Sequence, residues 1–290
     1  MTGESHAADV GRDLLAMLLH RIDAWGVGLI VCLVALLVHD AIAFRPLLLA
    51  LGLAGMYGLG YAVNDWFDAP HDARDAAKVR VNFFVRHPVP PRRAARLFAV
   101  GFALFAGPFF AYGTRGATLL AIATLVLWSY SAPPLRLKAR PGLDLLTHAV
   151  FVQTYAYAAC VLAIGARWAR VDIAVLLANF CASLSGQLAQ QLRDYAVDSV
   201  TERTFTTAVG QRTAARCLRL VTLAMVGVVL GALGAHVLPL RFAPLAVAFA
   251  PAALARVRAP RRSASRMIAA GSTAAALAYT GLLVAIHATS

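Results

Sequence analysis

Acidic side chains are scarce in this 290-residue sequence and are concentrated in two short stretches. The first is NDWFDAPHDARD, residues 64–75, and the second is QLRDYAVDSVTERT, residues 191–204. Together they hold half of the 14 acidic residues, namely Asp65, Asp68, Asp72, Asp75, Asp194, Asp198 and Glu202. Intervals of three and four residues place side chains on one face of a helix, so each stretch predicts a row of carboxylates.

Such rows of like charge repel, and a bound cation is the economical explanation for them. The carboxylates have no His or Cys partner in the pattern, which favours a hard ion such as Mg²⁺. This ion usually bridges one or two carboxylates to substrate phosphates. A lone DxxxD is more often a solvated helix end, but two such clusters in a chain with few acids predict a functional site. The predicted catalytic and metal-binding residues are Asp65, Asp68, Asp72, Asp194 and Asp198.

Basic side chains close to the acids are candidates to bind the phosphate. Lys78 and Arg80 follow the first stretch, and Arg193 precedes Asp194. Arginine binds a phosphate through two parallel hydrogen bonds, whereas lysine acts as a point charge. For each of them, attraction to lipid headgroups is the alternative role. The stretch SYSAPPLRLKARPGLD, residues 129–144, adds Tyr130, Arg136, Lys138 and Arg140.

The elements that position these groups are expected to be helices that cross a membrane. The chain is 60% hydrophobic and 14% charged, with a mean hydropathy of +0.69, values that an ordinary soluble domain does not reach. A span needs about 20 apolar residues. Nine such stretches predict an all-α, polytopic membrane bundle, a single domain over residues 1–290. They cover residues 24–39, 46–63, 94–112, 116–131, 143–164, 171–191, 214–235, 239–255 and 267–287.

The distribution of basic residues predicts the orientation of the bundle. Most of the 27 Lys and Arg residues fall between spans on one side, and both acidic stretches lie on that side. This bias places the N-terminus and the site at the cytoplasmic face of the inner membrane and the C-terminus outside, and it argues against a nucleic-acid partner. Residues 1–23 are predicted to be an amphipathic lead-in on the membrane surface. The other side carries only Arg45, Arg115, Arg167, Arg170 and Arg241.

Cysteine and histidine are weaker candidates for chemistry. The four cysteines stand singly in or beside apolar spans, which gives no support to a metal cluster or a disulfide framework. His71 and His87 lie near the first acidic stretch, and either is a candidate general base. A histidine in a basic loop is more often simply solvated.

The two acidic motifs resemble those of the UbiA family of intramembrane prenyltransferases. Asn64 and the three aspartates that follow it match NDxxDxxxD, and Asp194 with Asp198 matches DxxxD. Residues 207–210, Thr-Ala-Val-Gly, resemble the usual ending of the second motif, and residues 130–144 resemble the loop between the fourth and fifth spans. The resemblance extends over nearly the whole chain.

The resemblance implies a nine-helix bundle around a central cavity. Mg²⁺ between the motifs would hold an isoprenyl diphosphate, whose prenyl group passes to a lipophilic or aromatic acceptor. The residues implied in diphosphate binding are Asn64, Lys78, Arg80, Tyr130, Arg136, Lys138 and Arg193. Aromatic side chains near the right span ends are candidates to stabilise an allylic cation, although packing is their commoner role. They are Tyr61, Trp66, Phe67, Tyr155, Tyr157 and Tyr195.

The sequence departs from the family pattern at two places. Residues 80–94, RVNFFVRHPVPPRRA, replace an RPLxSGxIS-like segment, and Glu202 stands where many members have glycine. Two other functions remain open at this point: a terpene cyclase on the same scaffold, which needs no acceptor, and an ion-coupled transporter. Transporter sites tend to lie near the bilayer midplane, whereas these acids lie at span ends.

Overall fold

The computed structural model describes residues 3–20, 22–74, 76–259 and 266–289. Helices and no strand occur within these residues, which confirms the predicted all-α class. Asp75 and residues 1, 2 and 21 of the predicted lead-in lie outside them. The α-helices are α1 (Gly3–His20), α2 (Ile22–Val38), α3 (Phe44–Asp72), α4 (Ala76–Val79), α5 (Phe83–Arg86), α6 (Pro91–Phe110), α7 (Gly113–Ser131), α8 (Leu143–Ala149), α9 (Tyr155–Ile164), α10 (Arg170–Thr201), α11 (Phe205–Val209), α12 (Gln211–Gly234), α13 (Ala243–Arg258) and α14 (Arg266–Thr289).

The predicted count of nine membrane spans is not confirmed. Among the described residues, seven helical segments are long and apolar enough to cross a membrane. They are Phe44–Asp72, Pro91–Phe110, Leu143–Ile164, Arg170–Val200, Gln211–Gly234, Leu240–Arg258 and Met267–Thr289. The bent pair Gly11–His20 and Trp25–Val38, whose axes differ by 81°, is an eighth if counted as one span. Helix α7 occupies the fourth predicted span but is not among them. Its Arg115 and its interspersed Thr and Ser residues lower its hydropathy.

The core lies where α2 and α3 pack against α6 and α9. Small residues allow close approach of the backbones, as is common between membrane helices. At Gly52 a Cβ atom would stand 2.8 Å from the carbonyl oxygen of Phe105, so α3 and α6 touch at a distance that only glycine permits. The fully buried large side chains of this core are Leu36, Leu37, Leu49, Leu97, Phe109 and Tyr157.

Large apolar side chains also face outward on several spans. Leu125, Leu220, Val247 and Met267 are each more than 65% exposed. A soluble monomer rarely presents so much apolar surface, whereas lipid tails contact it at no cost. Together with the apolar spans, this surface makes the protein a multi-pass membrane protein.

Short elements close one end of the bundle, where α3 and α10 both have their C-terminal ends. After α3 the chain forms α4 and α5, and Asn82 caps α5 by accepting hydrogen bonds from the amides of Phe84 (2.9 Å) and Val85 (3.2 Å). After α7, a 3₁₀ turn at Leu137–Ala139 leads into α8. Arg136, which precedes that turn, has a left-handed backbone with φ of 38°. These connections carry the basic side chains that face the acidic motifs.

Candidate active site

A cavity of about 140 Å³ lies between the two acidic motifs. One part of its wall is charged and the rest is aromatic, apolar or neutral and polar. Both α3 and α10 contribute carboxylates to the charged part. The lining residues are Tyr57, Gly60, Tyr61, Asn64, Asp68, Lys78, Val126, Leu127, Tyr130, Lys138, Thr147, His148, Phe151, Val152, Gln187, Gln190, Gln191, Asp194, Asp198, Glu202 and Thr204.

Asp68 is the carboxylate of the first motif that faces this cavity. Its carboxylate accepts hydrogen bonds from Lys138 Nζ and from Asn64 Nδ2, the latter at 3.0 Å. Asn64 Oδ1 in turn accepts from Lys138 Nζ and from Ser131 Oγ, both at 3.0 Å. Lys138 is only 7% exposed, so this buried ammonium depends on Asp68 for its counter-charge.

Asp65 and Asp72 lie on the side of α3 that meets α5 and do not line the cavity. Asp65 is 2% exposed, and its Oδ2 accepts a hydrogen bond from the amide of Phe83 at 3.2 Å. Asp72 Oδ2 accepts from Asn82 Nδ2 at 2.9 Å, and the same amide group donates to the Asp65 carbonyl at 2.7 Å. Two of the predicted ligands are therefore engaged in fixing the connection after α3.

Asp198 and Asp194 bring the second motif to the same cavity. Asp198 is 6% exposed and accepts a hydrogen bond from Lys78 Nζ at 2.9 Å. Burial acts to lower the pKa of Lys78, but the carboxylates of Asp198, Asp72 and Asp194 together raise it above its ordinary value. The ammonium is therefore charged at neutral pH and links the two motifs.

The other predicted diphosphate ligands are distributed unevenly. Arg136 does not line the cavity but contacts two residues that do: its Nη2 is 2.5 Å from Glu202 Oε1 and 3.5 Å from Asp68 Oδ1. Tyr130 lines the cavity and its hydroxyl accepts from Gln187 Nε2 at 3.0 Å. Arg80 is exposed, and the exposed Arg193 pairs with Asp194 at 3.3 Å. Neither of these two arginines lines the cavity.

Seven of the twelve predicted site residues thus share one cavity. They are Asn64, Asp68, Lys78, Tyr130, Lys138, Asp194 and Asp198. Of the predicted aromatic residues only Tyr61 lines it, while Tyr155 lines a second, apolar cavity of about 30 Å³. Trp66 packs on Phe84 and Phe98, and the buried Tyr157 donates to Asp172 at 2.7 Å. Phe67 packs on Trp128, and Tyr195 lies outside both cavities.

Sequence reasoning missed the polar face of α10 that leads into the second motif. Gln187, Gln190 and Gln191 line the cavity and stand at helical intervals before Asp194. The spacing of three and four residues in an apolar span was the available sign of this face. Glu202, raised only as a departure from the family pattern, also lines the cavity.

A buried hydrogen-bond network holds the end of α10 in place. Asp144, which is fully buried, accepts from Gln191 Nε2 at 2.6 Å and from the amide of Phe205 at 2.7 Å. Gln191 Oε1 accepts from the amide and the hydroxyl of Thr206 at 3.1 and 2.9 Å. The network joins α8, α10 and α11, so it fixes the direction in which Asp194 and Asp198 point.

The donor set of this cavity fits Mg²⁺ in chemistry. Asp68, Asp194 and Asp198 all present carboxylate oxygens to it, which are the ligands this ion prefers. Within the described part of the chain, no three His, Cys, Asp or Glu side chains converge closely enough to hold one ion. Lys138 and Lys78 instead neutralise the carboxylates. Metal binding here therefore requires the lysines to release these carboxylates or to share them with an anionic ligand.

Comparisons with known proteins identify the family and the fold. A model of the UbiA prenyltransferase family matches residues 28–272. The chain is similar to the structure of a UbiA homolog from Archaeoglobus fulgidus bound to GPP and Mg²⁺, with a TM-score of 0.66 and 18% identity over 94% of this chain and 99% of that chain. No curated protein sequence matches the chain.

Two further solved structures share the architecture. An apo UbiA homolog from Aeropyrum pernix K1 has a TM-score of 0.64 and 17% identity over 92% of this chain and 98% of that chain. A digeranylgeranylglyceryl phosphate synthase has a TM-score of 0.59 and 9% identity, covering 96% and 97%. At these identities the structural likeness establishes a common fold.

Proposed function

The chain belongs to the UbiA prenyltransferase family, and on this premise we propose that it transfers a prenyl group from a prenyl diphosphate to a lipophilic or aromatic acceptor in a Mg²⁺-dependent reaction. The observation that carries the proposal is the convergence of both acidic motifs and two lysines on one cavity. The remainder of that cavity combines neutral polar side chains with aromatic and apolar ones, and the latter suit a prenyl chain. The likeness to a homolog bound to GPP and Mg²⁺ supports the same donor.

The charged end of the cavity is suited to a diphosphate leaving group. Asp68, Asp194 and Asp198 would hold Mg²⁺, which when bound supplies positive charge against the departing diphosphate. Lys78 and Lys138 already lie at these carboxylates, and their ammonium groups can donate hydrogen bonds to phosphate oxygens. Arg136 adds a third cation close to Asp68.

The aromatic and apolar walls would protect the allylic carbon from water. Tyr57, Tyr61 and Phe151 line the cavity, and Tyr57 and Phe151 also line the second, apolar cavity. Tyr57 donates to the hydroxyl oxygen of Tyr61 at 3.1 Å, and their rings meet edge to face with centroids 5.1 Å apart. Ring faces of this kind stabilise a cation by about 0.5–2 kcal/mol each.

We further propose the orientation in the membrane that the distribution of Lys and Arg residues indicates. The N-terminus and the mouth of the cavity face the cytoplasm, and the protein resides in the inner membrane. The loops that carry Arg86, Arg136 and Lys138 belong to the basic side, whereas Arg167 lies beyond the opposite end of α9.

The direct test is diphosphate release by the purified protein in nanodiscs supplied with geranylgeranyl diphosphate. We expect release in Mg²⁺, none in EDTA, and at least a hundredfold loss in Asp68→Asn and Asp198→Asn, since charge stabilisation of this kind is worth several kcal/mol. Asp40→Asn is the matched control, because Asp40 is exposed in the turn before α3, at the end away from the motif, and has a φ of 49°, which asparagine tolerates.

The same assay separates the alternatives. Ion flux in liposomes without Mg²⁺-dependent diphosphate release would overturn the proposal in favour of a transporter. Cyclic hydrocarbon products formed without any added acceptor would show that the protein is a terpene cyclase and not a prenyltransferase. Unchanged diphosphate release in both aspartate variants would show that the proposed site is wrong.

A further inference from the structure

One guanidinium lies between two carboxylates at the charged end of the cavity. Arg136 Nη2 is 2.5 Å from Glu202 Oε1 and 3.5 Å from Asp68 Oδ1. Both carboxylates belong to residues that line the cavity. Asp68 is one of the three carboxylates proposed to hold Mg²⁺, whereas Glu202 has no part in that proposal. The ion pair between Arg136 and Glu202 therefore needs an explanation of its own.

The backbone of Glu202 is held at the end of α10. Glu202 directly follows this helix, and its amide donates a hydrogen bond to the carbonyl of Asp198 at 2.8 Å. Its own carbonyl accepts a hydrogen bond from Thr207 Oγ1, in α11, at 3.3 Å. Because its backbone is bonded to both helices, Glu202 presents its carboxylate from a fixed position.

Arg136 is held in its conformation at an energetic cost. Its left-handed φ of 38° is unfavourable for a bulky residue, and such a conformation persists only when the surrounding structure imposes it. Its Nε is buried and has no hydrogen-bond partner among the described residues, which is also unfavourable. The contact with Glu202 is the shorter of its two ion pairs, so Glu202 is the group that holds the guanidinium.

The position of Arg136 determines how much of Asp68 remains available to another cation. Asp68 already accepts hydrogen bonds from Lys138 and Asn64. An arginine that paired fully with Asp68 would donate two parallel hydrogen bonds and occupy the remaining acceptor sites of the carboxylate. The present separation of 3.5 Å is longer than an ordinary hydrogen bond. Asp68 therefore keeps acceptor capacity as long as Glu202 holds Arg136.

We propose that Glu202 is a positioning residue, which holds Arg136 away from Asp68 and so preserves Asp68 as a ligand for the divalent ion. The inference rests on the proposed function, because it requires that the cavity binds this ion together with the diphosphate. An ion pair on the protein surface would contribute little. Here the side chains of Arg136 and Glu202 are only 31% and 21% exposed, so solvent screens their interaction less.

The proposal is tested by the binding of Mn²⁺, used in place of Mg²⁺, and not by turnover. The Kd for Mn²⁺ is measured by electron paramagnetic resonance on the purified protein in nanodiscs, loaded with GPP. We expect Glu202→Gln to raise this Kd about tenfold or more, because the metal must then displace a charged hydrogen bond between Arg136 and Asp68. An unchanged Kd would overturn the proposal, and a lower Tm with an unchanged Kd would show that the ion pair is merely structural.

Glu202→Asp separates the position of this carboxylate from its charge. Aspartate keeps the negative charge but is one methylene shorter, so its carboxylate does not reach Arg136 at hydrogen-bonding distance. We expect the Kd for Mn²⁺ in Glu202→Asp to rise nearly as much as in Glu202→Gln. A normal Kd in Glu202→Asp would show that only the charge matters and would overturn the positioning role.

A double-mutant cycle tests whether Glu202 acts through Arg136. In an Arg136→Gln background, Glu202→Gln should change the Kd for Mn²⁺ less than about twofold, because no guanidinium remains to pair with Asp68. Arg203→Gln is the matched control background, since Arg203 adjoins Glu202 and is exposed, and there Glu202→Gln should keep its full effect. An equal effect in both backgrounds would overturn the proposal. Absence of Mn²⁺-dependent GPP binding in the unmodified protein is a different result, which would contradict the proposed function itself.

Discussion

At the scale of single residues, the carboxylates of the site have cationic neighbours. From the sequence alone, the rows of carboxylates are expected to repel unless a cation is bound. In the structure, Asp68 is bonded to the buried Lys138, and Asp198 is bonded to Lys78. Removing Asp68 would therefore leave the Lys138 ammonium without its counter-charge, whereas removing Asp198 would leave Lys78 with the more distant carboxylate of Asp72, at 3.9 Å.

Asp68→Ala is accordingly expected to destabilise the protein as well as inactivate it. Loss of one partner of a buried ion pair costs about 3–5 kcal/mol, and replacing both partners by apolar residues recovers much of that cost. Thermal unfolding in detergent should show a lower Tm for Asp68→Ala and partial recovery in Asp68→Ala with Lys138→Met, which stays inactive. Equal Tm values for the single variant and the unmodified protein would show that the pair contributes nothing.

Motif spacing identified the acidic helix face but not the direction of each carboxylate. At 100° per residue, Asp65, Asp68 and Asp72 lie within about 60° of one another around α3. Side chains spread over this angle can contact different neighbours. Asp68 lines the cavity, whereas Asp65 contacts α5. Which carboxylate faces the cavity depends on how residues 76–86 fold back against α3. The spacing of residues within α3 does not predict that fold.

At the scale of elements, the connection after α3 is held by one side chain. Asn82 is 1% exposed, caps α5 with its oxygen and bonds the Asp65 carbonyl and the Asp72 carboxylate with its nitrogen. Lys78 lies in this connection, four residues before Asn82. Its distance to Asp198 therefore depends on the contact between Asn82 and α3.

Asn82→Ala is expected to destabilise the protein by about 2–4 kcal/mol, through the lost cap and the buried groups left without partners. Asn82→Ser is the informative comparison, because serine preserves the cap but does not reach α3. We expect Asn82→Ser to recover about 1 kcal/mol of stability in denaturation experiments but not the affinity for the diphosphate donor. Full donor affinity in Asn82→Ser would mean that α3 does not need this contact.

The helices themselves were largely predictable, and their irregular parts were not. Hydropathy predicted spans at 143–164 and 171–191, and the structure has helical spans at Leu143–Ile164 and Arg170–Val200. The second helix continues past the apolar stretch and so carries Asp194 and Asp198. The π-helix within the first depends on packing against α10, for which the sequence offers no periodic sign.

At the scale of the whole molecule, the orientation in the membrane follows from charge and has a direct test. Arg86 and Arg167 are both exposed and lie on opposite predicted sides. In a variant without native cysteines, we expect Arg86→Cys to react with an impermeant maleimide only in inverted vesicles and Arg167→Cys only in intact spheroplasts. The reverse pattern would place the site outside the cytoplasm.

The central claim is that α3 and α10 together hold a metal-bound diphosphate in one cavity. The most direct measurement is anomalous diffraction from crystals grown with GPP and with Mn²⁺ in place of Mg²⁺. We expect an anomalous peak in the cavity, within bonding distance of Asp68 and of Asp194 or Asp198, with the diphosphate beside Lys78 and Lys138. A peak bound to only one of the two helices, or a diphosphate bound outside this cavity, would contradict the account.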